Sequence, residues 1–360
     1  MCAARLALGL AILSWTSWIG TCWFTSSSWS FCFGSRYLVD ELRSRGHIRL
    51  VSYRKRMSVD GYKSEASLKN KCMGAMRSDQ LVCFGWGANG QRELGAFAAV
   101  SSGNGHTCEV KSDGQLVCFG CSIHDDEGQC DVPPDLGRVV AVSAGYDHTC
   151  AVKSDGQLVC FGENTNRQCN VPTNLGAVAA VSAGHGRTCA VKSDGQLVCF
   201  GSNMLGECNV PTDLGSVVEV SASFDHTCAL RSDGQLVCFG WNSQGQCDAP
   251  KDLGAVKAIS AGGRHTCAVR ADGQLVRFGW NIHGQCDVPK DLGEVVAVSA
   301  GYLHTCAVKA NGQLVCFGMN ADGQCDAPRD LGAVVAISAG YAHTCAVKSD
   351  GQLVCFGLNT

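Results

Sequence analysis

Short apolar runs alternate with polar turns through most of this chain, and the alternation is sharpest over residues 148–162, HTCAVKSDGQLVCFG. Residues 149–153 and 157–161 read as two strands, because β-branched and aromatic side chains suit a pleated surface and Ser154-Asp155-Gly156 interrupts them. A three-residue hairpin loop needs a left-handed residue at its end, and Gly156 stands there. That register sets Cys150 opposite Cys160, Ala151 opposite Val159, Val152 opposite Leu158 and Lys153 opposite Gln157. One face then carries Cys150, Val152, Leu158 and Cys160, the other Thr149, Ala151, Val159 and Phe161. Both are largely apolar, so water is expected on neither side.

The hairpin repeats. Its second Cys, or the equivalent, stands at Cys83, Cys118, Cys160, Cys199, Cys238, Arg277, Cys316 and Cys355, with steps of 35, 42 and then a constant 39 residues. A fixed period of about 40 marks a propeller or a solenoid. Each unit reads as four strands: an Ala/Ser/Val run such as residues 139–145 (A), HTCAVK (B), QLVCFG (C) and GQCDVP (D). Units apolar on both faces must stand between two neighbours, which favours a ring of blades over a linear stack, with the small-residue A strand nearest the axis. Seven A-B-C sets begin near Phe97, Val139, Val178, Val217, Val256, Val295 and Val334. The D-like segment 86–95 is expected to pair with the last blade and close the ring. The predicted fold is all-β, a seven-bladed β-propeller of four-stranded blades with a non-propeller N-terminal extension.

The pattern SAGxxHTCAVKSDGQLVCFGxNxxGQ, seen at residues 299–324 with Ala310-Asn311 in place of Ser-Asp, resembles the regulator of chromosome condensation repeat family. The resemblance covers roughly residues 72–360 and implies a seven-bladed propeller. Two features depart from the family: Phe161-Gly162 replaces Trp-Gly, and GQCDVP replaces Gly-Gln-Leu-Gly. Among the activities the resemblance implies, guanine nucleotide exchange depends on a wedge-like insertion, and here only residues 121–127 lengthen a loop. Ultraviolet sensing uses clustered Trp before His-Thr, where this chain has Tyr, Phe, His or Gly. A HECT ligase domain has no room beside the propeller, which leaves a substrate-recruiting role.

Composition narrows the classes. At 360 residues and 46% hydrophobic, the chain can bury a large core, and its 44 glycines suit many turns. A net charge of −3 argues against a general nucleic-acid surface. Residues 1–35 form an apolar segment, of which 6–25 are long enough to contact or span a membrane. Residues 36–71 form a basic linker, with a short helix expected near residues 39–45. Arg5 stands alone before the apolar run against many cations after it, which favours a signal-anchor with the propeller cytoplasmic over a cleaved signal peptide and secretion. The propeller is assigned to residues 72–360, and its first hairpin, residues 72–85, lacks the turn glycine and is expected to dock poorly.

The 25 cysteines admit two readings. Opposed pairs Cys108/Cys118, Cys150/Cys160, Cys189/Cys199, Cys228/Cys238, Cys306/Cys316 and Cys345/Cys355 are close enough for cross-strand disulfides. Equally, Cys is a small apolar residue multiplied by duplication. Arg277 faces Cys267, and the series Cys130, Cys169, Cys208, Cys247, Cys286 and Cys325 has no evident partners. Neither Cys nor His spacing matches a metal framework. His106, His148, His226, His265, His304 and His343, with Arg187 in the same slot, read as hydrogen-bonding corners between blades. No unique acid, base or nucleophile breaks the repeat, so neither catalysis nor a cofactor is expected.

The end built from A–B and C–D loops is where the copies differ. It carries Tyr146, Asp147, Phe224, Asp225, Trp241, Arg264, Trp280, Tyr302 and Tyr341, the makings of a protein-binding face. The expected function is therefore a monomeric, non-enzymatic scaffold binding an unidentified protein through that face, without nucleic acid. The alternatives are an exchange-factor or ligase-associated module and a secreted, disulfide-bonded inhibitor propeller.

Overall fold

The computed structural model describes residues 97–121 and 127–358, together with five strands nearer the N-terminus. Two units divide the chain, one of Met1–Asp60 with Met73–Val82, the other of Gly61–Cys72 with Cys83–Thr360. In the N-terminal part, Trp23–Thr25 pairs with Ser28–Ser30, and Arg49–Val51, Met73–Arg77 and Gln80–Phe84 form a three-stranded sheet. The hairpin of residues 72–85 thus takes a strand from the basic linker. The expected membrane segment as far as residue 22, the helix expected near 39–45 and the segment 86–95 expected to close the ring lie outside the described residues.

Seven three-stranded antiparallel sheets follow, one per repeat, in the order A, B, C. The A strands are Phe97–Ser102, Val139–Ala144, Val178–Ala183, Val217–Ala222, Val256–Ala261, Val295–Ala300 and Val334–Ala339. The B strands are Thr107–Lys111, His148–Lys153, Arg187–Lys192, His226–Arg231, His265–Arg270, His304–Lys309 and His343–Lys348. The C strands are Leu116–Phe119, Leu158–Gly162, Leu197–Gly201, Leu236–Gly240, Leu275–Gly279, Leu314–Gly318 and Leu353–Gly357. The hairpin register is the expected one: Cys150 faces Cys160, Ala151 faces Val159 and Val152 faces Leu158, while Lys153 N–H donates to the Gln157 carbonyl. Gly156 turns the chain at φ 83°, a conformation open to glycine at little cost.

The two apolar faces of each blade meet their neighbours. Cys150, Val152 and Leu158 of the second blade pack against Val178, Ala190 and Phe200 of the third, and the same contact recurs around the molecule. The seam between last and first blades is made likewise, with Cys345, Val347 and Leu353 against Val100 and Phe119. Each fully buried Val or Leu contributes about 1.5–3 kcal/mol, so the inter-blade layers are the main source of stability. Seven apolar layers for seven blades make the structure a closed seven-bladed propeller.

Each blade differs from the expectation in strand number: the D segment joins no ladder among the described residues. Its amides are satisfied locally. Asn242 Oδ1 accepts Cys247 N–H at 2.8 Å, Asn242 Nδ2 donates to Asp248 Oδ1 at 2.7 Å, and Asp248 N–H donates to Gly245 O at 3.1 Å. The Asn of each Phe-Gly-x-Asn motif competes for the backbone as a turn former, and the following Pro removes a ladder donor.

Candidate binding face

Two rings of hydrogen bonds hold the loop-bearing end in place. Near the axis, the A-strand serines Ser101, Ser143, Ser182, Ser221, Ser260 and Ser299 each accept, at 2.9 Å, the amide of the next blade's alanine, and Ser338 accepts Ser102 N–H at 2.8 Å. Only small residues permit this approach of seven strands, which explains the Ala/Ser composition of A. Farther out, His148 Nε2 lies 3.0 Å from Thr188 Oγ1 of the next blade, and the arrangement repeats at every interface. The partner is the following blade's Thr rather than the Thr beside the His in sequence.

The Thr hydroxyl fixes the direction of that bond. Thr188 Oγ1 donates its one proton to the Gln168 carbonyl at 2.8 Å, so it accepts from the imidazole. Arg187, a donor only, fills the same slot with Nε 3.0 Å from Thr227 Oγ1. The histidines are accordingly neutral Nε2–H donors. Burial pushes them down, His148, His265 and His343 to about 4 and His106, His226 and His304 to about 3.

On this frame the C–D loop is tied to the A–B loop: Glu163 N–H donates to Asp147 O, Trp241 N–H to Asp225 O and Trp280 N–H to Arg264 O, at 2.8–2.9 Å. Of the nine residues expected at a binding face, seven fall into two groups. Tyr146, Phe224, Tyr302 and Tyr341 converge on the axis, with ring centroids 4.4 Å apart for Tyr302–Tyr341, 4.6 Å for Phe224–Tyr302 and 5.5 Å for Tyr146–Phe224. His185 joins them, 4.4 Å from Tyr146 and 5.0 Å from Phe224. These rings and the A-strand ends surround an axial cavity of about 100 Å³.

Trp241, Arg264 and Trp280 form the second group, with the guanidinium 4.8 Å from one indole and 5.4 Å from the other. Asp225 follows Phe224 in sequence and feels the Arg264 charge. Burial raises its carboxyl, and Arg264 and Arg187 pull the other way. Asp147 lies beside Tyr146 on the same rim. Burial lowers His185, with Asp225 and Glu163 opposing. Burial raises the Tyr341 phenol, helped by Tyr302 and Tyr146.

Sequence reasoning missed His185 and Gly263. A Cβ at Gly263 would strike the Tyr302 ring and carbonyl, so this blade gives up its own axial side chain to make room for its neighbour's. It also missed the exposed apolar side chains Met204, Leu205, Ile282 and Leu358 at loop positions.

The cysteine pairs of six hairpins stand with Cα atoms 4.1 Å apart and sulfurs at bonding distance. Cys130 has a partner that spacing did not reveal, since Cys121 lies 6.3 Å away by Cα. Cys169, Cys208, Cys247, Cys267, Cys286 and Cys325 are free thiols. Among the described residues no cluster of His, Cys, Asp or Glu is arranged to hold a metal.

A family model described as regulator of chromosome condensation (RCC1) repeat matches six successive segments, residues 139–168, 178–206, 217–246, 256–285, 295–324 and 334–360. The chain belongs to the RCC1-repeat family. The first blade, residues 97–119, lies outside these matches yet makes the same inter-blade bonds as its RCC1-type neighbours. Solved structures share the fold. The CRINKLY WD40 ectodomain of the Arabidopsis thaliana receptor kinase ACR4 is 22% identical with a TM-score of 0.60, over 74% of this chain and 99% of that one. The entire ectodomain of the Physcomitrella patens receptor kinase CR4 is 24% identical with a TM-score of 0.62, over 73% and 74%. Prp20p from Saccharomyces cerevisiae, described with its binding to Gsp1p and histones, is 16% identical with a TM-score of 0.59, over 73% and 82%. Among curated proteins no relative matches.

Proposed function

We propose that this RCC1-repeat propeller is a non-enzymatic scaffold that binds a protein partner on its loop-bearing end. The observation that carries the reading is the axial cluster of Tyr146, His185, Phe224, Tyr302 and Tyr341, aromatic side chains left partly open on an end whose backbone is pinned ring-wise. Rigid aromatic side chains lose little entropy on docking and dominate interface energies. The test is capture of partners by the propeller before and after Tyr146, Phe224, Trp241, Trp280 and Tyr302 are changed to Ala. Loss of capture with an unchanged melting temperature is expected, and unchanged capture would clear this end of the role.

A second reading, a secreted disulfide-bonded propeller, is favoured by the seven cysteine pairs at bonding distance and by the fold shared with two receptor ectodomains. Mass spectrometry of the unreduced protein decides it, with seven bridges on one side and free thiols throughout on the other. Guanine nucleotide exchange on a small GTPase rests on likeness to Prp20p alone, and a nucleotide-release assay tests it directly.

A further inference from the structure

Charge is divided unequally between the two ends of the propeller. Among the described residues, the A–B and C–D loops carry five carboxylates, Glu127, Asp147, Glu163, Asp225 and Asp322, against two cations, Arg167 and Arg264. The B–C and D–A turns at the other end carry twelve carboxylates against twelve cations. Many of the latter cancel in place, as in the Lys192–Asp194 pair at 3.0 Å and the Lys348–Asp350 pair at 2.8 Å. The loop end has no such balance. Of its two cations, Arg264 is held between Trp241 and Trp280 and opposed by Asp225.

The aromatic cluster sits inside this acidic rim. Tyr146 is followed by Asp147 and Phe224 by Asp225, so a carboxylate accompanies two of the axial rings. Farther out in the C–D loops, Met204 is 90% exposed and Ile282 68%. Aromatic faces attract cations as well as burying apolar area, and carboxylates around them raise the local concentration of positive groups.

From this complementarity we infer that the occupant of the loop end is a protein segment rich in Lys and Arg with apolar side chains between them. The inference rests on the loop-end reading above and narrows its partner. Nucleic acid, anionic membrane and acidic peptides meet repulsion there.

The experiment uses the full chain and two fluorescent peptides of equal length and apolar content, one Lys/Arg-rich and the other Glu-rich, followed by anisotropy. The basic peptide should bind at least about tenfold more tightly and weaken as salt rises. The variant Glu163→Gln/Asp225→Asn/Asp322→Asn should lose about tenfold, while Asp155→Asn/Asp194→Asn/Asp350→Asn at the opposite end keeps the affinity. Equal or better binding of the Glu-rich peptide, or equal losses in both variants, overturns the inference. So does tighter binding of a DNA duplex or of phosphatidylserine vesicles. The alanine set at Tyr146, Phe224, Trp241, Trp280 and Tyr302 separates the two ideas. Lost capture of a partner without a preference for the basic peptide removes the basic partner and leaves the docking end, whereas unchanged capture removes both.

Discussion

His343 Nε2 lies 3.2 Å from Thr107 Oγ1, across 236 residues of sequence. The bond is of the same kind as that between His148 and Thr188, 40 residues apart, so the seam between last and first blades is chemically one more interface. The Ser338–Ser102 bond and the apolar contact of Cys345 with Phe119 and Val100 accompany it. Side-by-side packing thus closes the ring.

Acid should unfold the protein through its imidazoles. Six histidines are held at about 3–4 when folded against 6.5 when free, so between those values the unfolded chain binds protons that the native one refuses. Their contribution is fully present above pH 6.5 and is lost as pH falls toward the folded values. Each adds up to about 1.4 kcal/mol per pH unit in that window. The urea midpoint is expected to fall steeply from pH 6.5 to 4, and a flat profile would show that the histidines are not buried neutral donors.

Arg187 is the charged exception among these slots. Its Nη1 donates to Phe224 O at 3.0 Å and its Nη2 to His226 O at 2.6 Å, and Glu207 stands at this same interface where other repeats have Gln. Removing a buried charge that others compensate costs about 3–5 kcal/mol, so Arg187→Ala should cost more than His148→Ala. In an Arg187→His background, Glu207→Gln should restore stability. A denaturant double-mutant cycle without coupling would separate the two positions.

Gly263 makes room for Tyr302, and a methyl group there meets both ring and carbonyl. Gly263→Ala should destabilise by about 1–3 kcal/mol and alter the near-ultraviolet dichroism of the tyrosines. An unchanged spectrum would mean that the rings do not converge at the axis.

How much of this was legible beforehand follows from where each interaction lies. The hairpin register rests on Gly156 and adjacent residues, so sequence alone delivered it, and the period delivered the blade count. The D segment escaped because Asn242, a side chain, captures the backbone amides that a strand would use. The pairing of Cys121 with Cys130 depends on a loop path that spacing does not encode. Convergence of Tyr146, Phe224, Tyr302 and Tyr341 involves four different blades and becomes visible only once the ring brings their corners together.

The fifth blade carries a natural test of the cysteines. Cys267 faces Arg277 in the register where other blades pair two sulfurs, and burial pushes the Cys267 thiol up to about 12. It should resist alkylation at pH 8 until the protein unfolds. Under oxidising conditions Arg277→Cys should add a cross-strand bridge and about 2–3 kcal/mol. Early labelling of Cys267, read by mass spectrometry, would contradict its burial.

The central claim, that the blades form a closed circle of like interfaces, is tested most directly by comparing the thermal unfolding of His343→Ala and His148→Ala. A closed ring predicts matched falls in Tm, because each variant removes the same bond from an equivalent interface. An unchanged Tm for His343→Ala beside a lowered one for His148→Ala would contradict it, since the seam would then carry no load.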